Sequence, residues 1–176
     1  GLLINSPYKI KLIGDKSLSK RDFRRVSKPL SKFGAQFKLN NDKNLPLTIL
    51  GSSRLKPTKF IEKRGSAQCK SSVIFGGIRS NGTTVIKARK SRNHTENLFK
   101  YLKLPIIVKP KKNYDEIRIK KPKIIKPLNY NIPSDISSSA FFIVLTVLSD
   151  NSELTIKKVN INPSRTGIIT ILKKMG

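Results

Sequence analysis

Thr58-Lys-Phe-Ile-Glu62, Ser66-Ala-Gln-Cys69 running on as an apolar stretch to Ile78, Thr83-Thr-Val-Ile-Lys-Ala88, His94 to Leu104, Pro105-Ile-Ile-Val108 and Glu116-Ile-Arg-Ile-Lys120 follow one another within about residues 57–122. Short β-branched runs bounded by turn residues predict strands, and the two longer runs predict helices. The stretch therefore reads strand, helix, strand, helix, strand, strand. Gly76-Gly77 would let the backbone of the first helix approach its neighbours closely, so that helix is expected to be buried on most sides.

Working outward, the same pattern recurs. Arg21-Asp22 opens a helical stretch Phe23 to Phe33, Arg92-Asn93 opens His94 to Leu104, and Arg165-Thr166 opens Gly167 to Met175, with the arginines 71 and 73 residues apart. Ser134-Asp-Ile-Ser137 opens an apolar helix to Leu148, 68 residues after the run that starts at Ser66, and Phe141 to Leu148 is expected to be buried like its counterpart. Further strands are predicted at Tyr8 to Ile13, Ala35 to Leu39, Leu45 to Leu50, Ile124 to Asn129 and Glu153 to Val159. Residues 1–50 fit the later part of the unit, entered within a helix, and residues 123–176 fit its first part. In Phe23 to Phe33 the apolar Phe23, Val26, Leu30 and Phe33 form one stripe that would face a sheet. The expected class is α/β, built from repeated βαβαββ units, with both ends of the chain reading as cut.

The chain has 176 residues, 37 Lys+Arg against 10 Asp+Glu, a net charge of +27, and 37% hydrophobic residues. That apolar content supports a folded core and excludes a disordered basic tail. Ala140 to Leu148 is too short to cross a bilayer, and Gly1-Leu-Leu-Ile4 lacks a secretory pattern, so a soluble protein is expected. One cysteine, Cys69, and one histidine, His94, permit neither an internal disulfide nor a zinc cluster, and point to a reducing compartment. The charge suggests an anionic partner, and nucleic acid is one candidate. However, the lysines are spread along the chain without interleaved aromatics, and Lys, Ile and Asn number 27, 22 and 13, the signature of AT-rich coding. Small phosphorylated metabolites would need only a few placed cations.

Arginine is locally unfavourable at the positive end of a helix dipole. Three such arginines in repeat register suggest that an external anion completes the site, although solvated surface arginines in a basic protein would look the same. Ser66 is a second candidate ligand and equally an N-cap. Asn93 and Glu96 have capping-box spacing, which favours Glu96 as a cap rather than an acid catalyst. His94 is read as structural, and Cys69 as a small core residue.

Gly14-Asp-Lys-Ser-Leu-Ser-Lys-Arg21, with Arg25-Val26, Pro29-Leu30 and Phe33-Gly-Ala35, resembles a motif of the 5-enolpyruvylshikimate-3-phosphate synthase family. Gly65-Ser-Ala-Gln-Cys-Lys-Ser71, Ser91-Arg-Asn-His-Thr-Glu96, Asp135-Ile-Ser-Ser-Ser-Ala-Phe141 and Asn162-Pro-Ser-Arg-Thr-Gly-Ile168 continue the likeness in order, over essentially the whole chain, and are similar to its class II, glyphosate-tolerant type. The sibling UDP-N-acetylglucosamine enolpyruvyl transferase matches fewer of these strings.

The resemblance implies the enolpyruvyl transferase inside-out α/β barrel, incomplete in this chain. Residues 1–132 would be part of one domain, with one partial and one complete βαβαββ unit, and 133–176 the start of the other. It implies transfer of the enolpyruvyl group of phosphoenolpyruvate to the 5-hydroxyl of shikimate 3-phosphate in the shikimate pathway, with no metal or organic cofactor. The full-length protein would be a cytoplasmic monomer, without nucleic acid or membrane as partner. By matched position, Arg21 and Gln68 would bind phosphoenolpyruvate, and Ser66, Ala67, Gln68, Ser91 and Arg92 would bind shikimate 3-phosphate. Arg165 would be structural. The family's usual Pro after the phosphoenolpyruvate arginine is here Asp22, whose carboxylate is expected to neutralise Arg21 in part. None of the family's catalytic acid, base and lysine matches a position here, so this stretch alone is expected to be inactive.

Overall fold

A computed structural model describes all 176 residues, Gly1–Gly176, which divide into two compact units, Gly1–Lys126 and Pro127–Gly176. In the first unit, residues 58–120 form the predicted βαβαββ unit. Strand β4 (Lys59–Glu62) leads to α3 (Ala67–Gly77), then β5 (Thr83–Arg89), α4 (His94–Tyr101), β6 (Ile106–Pro110) and β7 (Tyr114–Lys120). The strands lie in the order β4-β5-β7-β6, with β4 and β5 parallel and β7 antiparallel to both its neighbours. Register is set by alternation along β5, where Thr84, Ile86 and Ala88 are buried opposite Ile119, Ile117 and Asp115 of β7.

Residues 1–50 repeat the later part of that unit. A 3-10 turn at Leu2–Asn5 precedes β1 (Lys9–Leu12), a short helix α1 (Lys16–Ser19), α2 (Arg24–Ser31), β2 (Gln36–Asn40) and β3 (Asn44–Leu50). The sheet order β1-β3-β2, all antiparallel pairs, matches β5-β7-β6 strand for strand. Helix α2 turns Val26 and Leu30 inward, continued by the fully buried Phe33 just beyond its end, as the stripe predicts.

The main core gathers Phe33, Val73, Ile74, Ile86, Phe99, Ile117 and Ile119, so α2, α3 and α4 share apolar packing with the four-stranded sheet. Phe75 and Phe99 meet edge-to-face at 5.3 Å between centroids. A Cβ on Gly76 would stand 3.0 Å from the Phe33 ring, which is why glycine permits the close approach of α3 there. A smaller cluster, Leu45, Leu47 and Ile49, lies under the three-stranded sheet.

The second unit departs from expectation. Helices α5 (Ile136–Val147) and α6 (Gly167–Met175) form where predicted, but the strands expected at 124–129 and 153–159 do not; a single parallel bridge, Ser134 to Val159, remains. By the repeat, the second of these runs would pair with a strand equivalent to β7, which has no counterpart among these residues. Two parallel strands without a third neighbour are marginal. For the same reason α5 is not buried: only Ile136 and Ser139 are, while Phe141 and Leu148 are 80% and 78% exposed. A helix satisfies its own backbone hydrogen bonds and survives without those neighbours.

Candidate functional site

Helices α3 and α4 begin side by side after the parallel strands β4 and β5, at the carboxyl ends where α/β sheets place ligands. Ala67, Gln68, Ser71, Arg92, His94 and Thr95 line a cavity of about 230 Å³ there. Free backbone N–H groups at two helix starts give it a positive partial charge.

Ser66 caps α3, its Oγ accepting from the Cys69 amide at 3.3 Å. A capping oxygen still has a hydroxyl hydrogen to donate. Gly65, at φ +72°, lets the chain turn from β4 into this cap, and Glu62, 6% exposed, accepts from the amides of Arg64 and Gly65 at 3.0 and 2.6 Å. Gln68 is held from the side by α2: the Arg25 guanidinium donates to its Oε1 at 2.8 Å. The Gln68 amide nitrogen keeps both hydrogens for another partner. Arg92 immediately precedes the α4 N-cap Asn93, and its guanidinium makes no hydrogen bond or ion pair within the chain. Ser91 follows β5 with its hydroxyl buried and unpaired.

Three predicted ligands, Ala67, Gln68 and Arg92, thus meet at one cavity, while Ser66 and Ser91 flank it without lining it. Arg21 lies apart from that lining, in the α1–α2 connection, where its carbonyl accepts from the Asn44 side chain at 3.2 Å. The expected neutralisation of Arg21 by Asp22 is not what the structure shows. Asp22 pairs with Arg24 instead, at 2.6 Å, and also accepts from the Arg24 amide. Hydrogen bonds from the Arg24 side chain, then from its amide, push the Asp22 carboxyl down from 3.8 to about 2, and the side-chain bond with the Asp22 charge raises the Arg24 guanidinium. Arg21 takes part in none of the chain's four ion pairs. Arg165 pairs with Asp135 at 3.1 Å and with Ser137 Oγ.

Glu96 is not the cap that its spacing suggested. It is 2% exposed and pairs with Lys70 at 2.6 Å, and Lys70, fully buried on the second turn of α3, also donates to the Arg92 carbonyl at 2.9 Å. Sequence reasoning missed this pair and Arg25. The available signal was Lys70, the one charged residue of α3. Cys69 is buried, as read. His94 lines the cavity beside Arg92, with no carboxylate bonded to it. No three His, Cys, Asp or Glu side chains converge in a way that could hold a metal ion, and no helix is long and apolar enough to cross a membrane.

A βαβαββ unit, preceded by the later part of the same unit, is architecture that this chain shares with solved enolpyruvyl transferases. The enolpyruvyl transferase NikO from Streptomyces tendae shares it, with a TM-score of 0.54 over 82% of this chain and 34% of that one, at 16% identity. The EPSP synthase from Acinetobacter baumannii is nearer, with a TM-score of 0.82 and 34% identity over 99% of this chain and 39% of that chain. The family model for EPSP synthase (3-phosphoshikimate 1-carboxyvinyltransferase) matches residues 1–176, and the chain belongs to that family. The 3-phosphoshikimate 1-carboxyvinyltransferases of Leuconostoc mesenteroides and Caldicellulosiruptor bescii are each 42% identical to it along its whole length. The chain spans only 40% and 41% of those two relatives.

Proposed function

We propose that the whole protein transfers the enolpyruvyl group of phosphoenolpyruvate to the 5-hydroxyl of shikimate 3-phosphate, releasing phosphate. The observation that carries this is the convergence of Gln68 and an unpaired Arg92 on a cavity at two adjoining helix starts, in a chain of this family. A phosphate placed there would meet the Arg92 guanidinium and free backbone amides together. In this reading Ser66, Ala67, Gln68, Ser91 and Arg92 hold shikimate 3-phosphate, while Arg21 and Gln68 hold phosphoenolpyruvate. Residues 1–132 belong to one of the family's domains and residues 133–176 begin the other. The partners are these two metabolites rather than nucleic acid or membrane. The full-length protein is read as a cytoplasmic monomer; within this stretch the buried Cys69 forms no disulfide, as suits a reducing compartment.

Addition and elimination require a proton donor for C3 of phosphoenolpyruvate and a base for the hydroxyl. The cavity lining offers no carboxylate, so the 176-residue chain alone binds phosphate-bearing ligands without turning them over. Enolpyruvyl transfer by the whole protein, compared with Arg21→Ala and Arg92→Ala, tests the assignment. Each substitution is expected to lower kcat/KM at least about a hundredfold, the scale of losing a charged phosphate contact. Wild-type kinetics in either would remove that arginine from the site.

A further inference from the structure

Lys70 sits on α3 with its side chain 0% exposed, and each of its two bonds runs to α4 or to Arg92, just before the α4 N-cap. The ammonium gives one hydrogen to Glu96 Oε1 at 2.6 Å and another to the Arg92 carbonyl at 2.9 Å. A lysine has three donors and one flexible stem, so a single buried ammonium can tie two points of a neighbouring segment at once. Here one of those points is the backbone of Arg92 itself. A second tie, Ser71 Oγ to Thr95 Oγ1 at 2.7 Å, links the same two helix starts from within the cavity lining.

A buried ion pair is weak support for stability, because desolvation offsets its Coulomb attraction and a well-packed apolar pair often serves as well. Burial alone therefore gives no reason for this charge. Its hydrogen bond to Arg92 does. The guanidinium of Arg92 stands at the end of a long, rotatable side chain, and where it can reach depends on where its backbone is fixed. We propose that Lys70, held by Glu96, is a positioning residue that fixes the Arg92 backbone against α3, so that Gln68 and Arg92 present a preformed anion site. This rests on the reading of Arg92 as a ligand for shikimate 3-phosphate.

The test uses the whole protein and the double variant Lys70→Met/Glu96→Leu, which removes the pair and leaves no lone buried charge. KM for shikimate 3-phosphate is expected to rise about tenfold or more, with kcat and KM for phosphoenolpyruvate within about threefold, since the loss is one of ground-state placement. In an Arg92→Ala background the same double substitution should add no further rise, the non-additivity expected of residues acting through one another. Glu96→Gln leaves the buried Lys70 ammonium without its counter-charge, which loosens its hold on the Arg92 carbonyl, and is expected to raise KM for shikimate 3-phosphate at least about threefold. An unchanged KM in the folded double variant, an unchanged KM in Glu96→Gln, or full additivity of either with Arg92→Ala would each overturn the positioning role. Glu96→Gln and its combination with Arg92→Ala decide the matter even if the double variant does not fold. If Arg92→Ala alone leaves KM for shikimate 3-phosphate unchanged, the ligand reading fails, and the positioning role falls with it.

Discussion

Residues 58–120 and residues 127–176 carry the same alternation of strand-like and helical runs, yet only the first becomes a sheet. Thr83–Arg89 and Glu153–Val159 occupy equivalent places in the repeat. The former lies between β4 and β7, while the latter makes one bridge at Val159. Strand formation is a contract between neighbours, because backbone groups and one apolar face must both find partners outside the segment. Helices α3 and α5 form equally well, since their hydrogen bonds are internal, but only α3 gains a packed environment.

The sharpest way to break that contrast is amide hydrogen exchange on the 176-residue chain. Amides of Ile86 and Ile117, in central strands and fully buried, should exchange at least about a thousandfold slower than their intrinsic rates, following global unfolding. Amides of Thr155 and Lys157 should exchange close to theirs. Strong protection across 153–159 would show a strand where the structure has none.

The same contrast separates what could be read from the sequence from what could not. Periodicity and turn residues are local, so the βαβαββ order of 58–120, the helix start at Gly167 and the core role of Cys69 were legible. Whether Glu153–Val159 pairs was not, because the answer depends on which strands stand beside it. Lys70 and Glu96 are 26 positions apart, and their pairing depends on how α3 and α4 come together. The capping-box spacing of Asn93 and Glu96 offered a local partner, but burial and a nearby ammonium drew the carboxylate elsewhere. Of the candidate ligands, Gln68 and Arg92 were both legible as helix-start residues, but the grip of Arg25 on Gln68 crosses from α2 to α3 and has no local signature.

Side-chain truncation gives a smaller but still clear difference between the units. Phe33 is fully buried, and Phe33→Ala should destabilise the chain by about 3–5 kcal/mol in a denaturant titration, through lost transfer energy and an unfilled cavity. Phe142 is 61% exposed on α5, and Phe142→Ala should change stability by no more than about 0.5 kcal/mol. The same pair of substitutions in the whole protein sharpens the comparison. A cost for Phe142→Ala rising toward that of Phe33→Ala would mean that residues beyond this chain cover α5.

The smallest effect concerns the surface ion pairs near helix starts, Asp22 with Arg24 in the first unit and Asp135 with Arg165 in the second. The Asp22 carboxyl is depressed to about 2 in the folded chain by its hydrogen bonds from Arg24, against 3.8 ordinarily. A depressed folded value means that the unfolded chain takes up the proton first. The stabilisation is therefore complete above about pH 4 and is lost as pH falls through about 2. Both partners are 46% exposed, so the slope should be slight, and Asp22→Asn should flatten it in acid titrations of unfolding. That substitution also tests the site. Because Asp22 is committed to Arg24, removing its charge should leave KM for phosphoenolpyruvate within about twofold of wild type in the whole protein, as expected for a group that touches no ligand. A KM that falls well below wild type would mean that Asp22 does draw on the charge of Arg21, and that the pairing seen at Arg24 is not the one that matters when phosphoenolpyruvate binds.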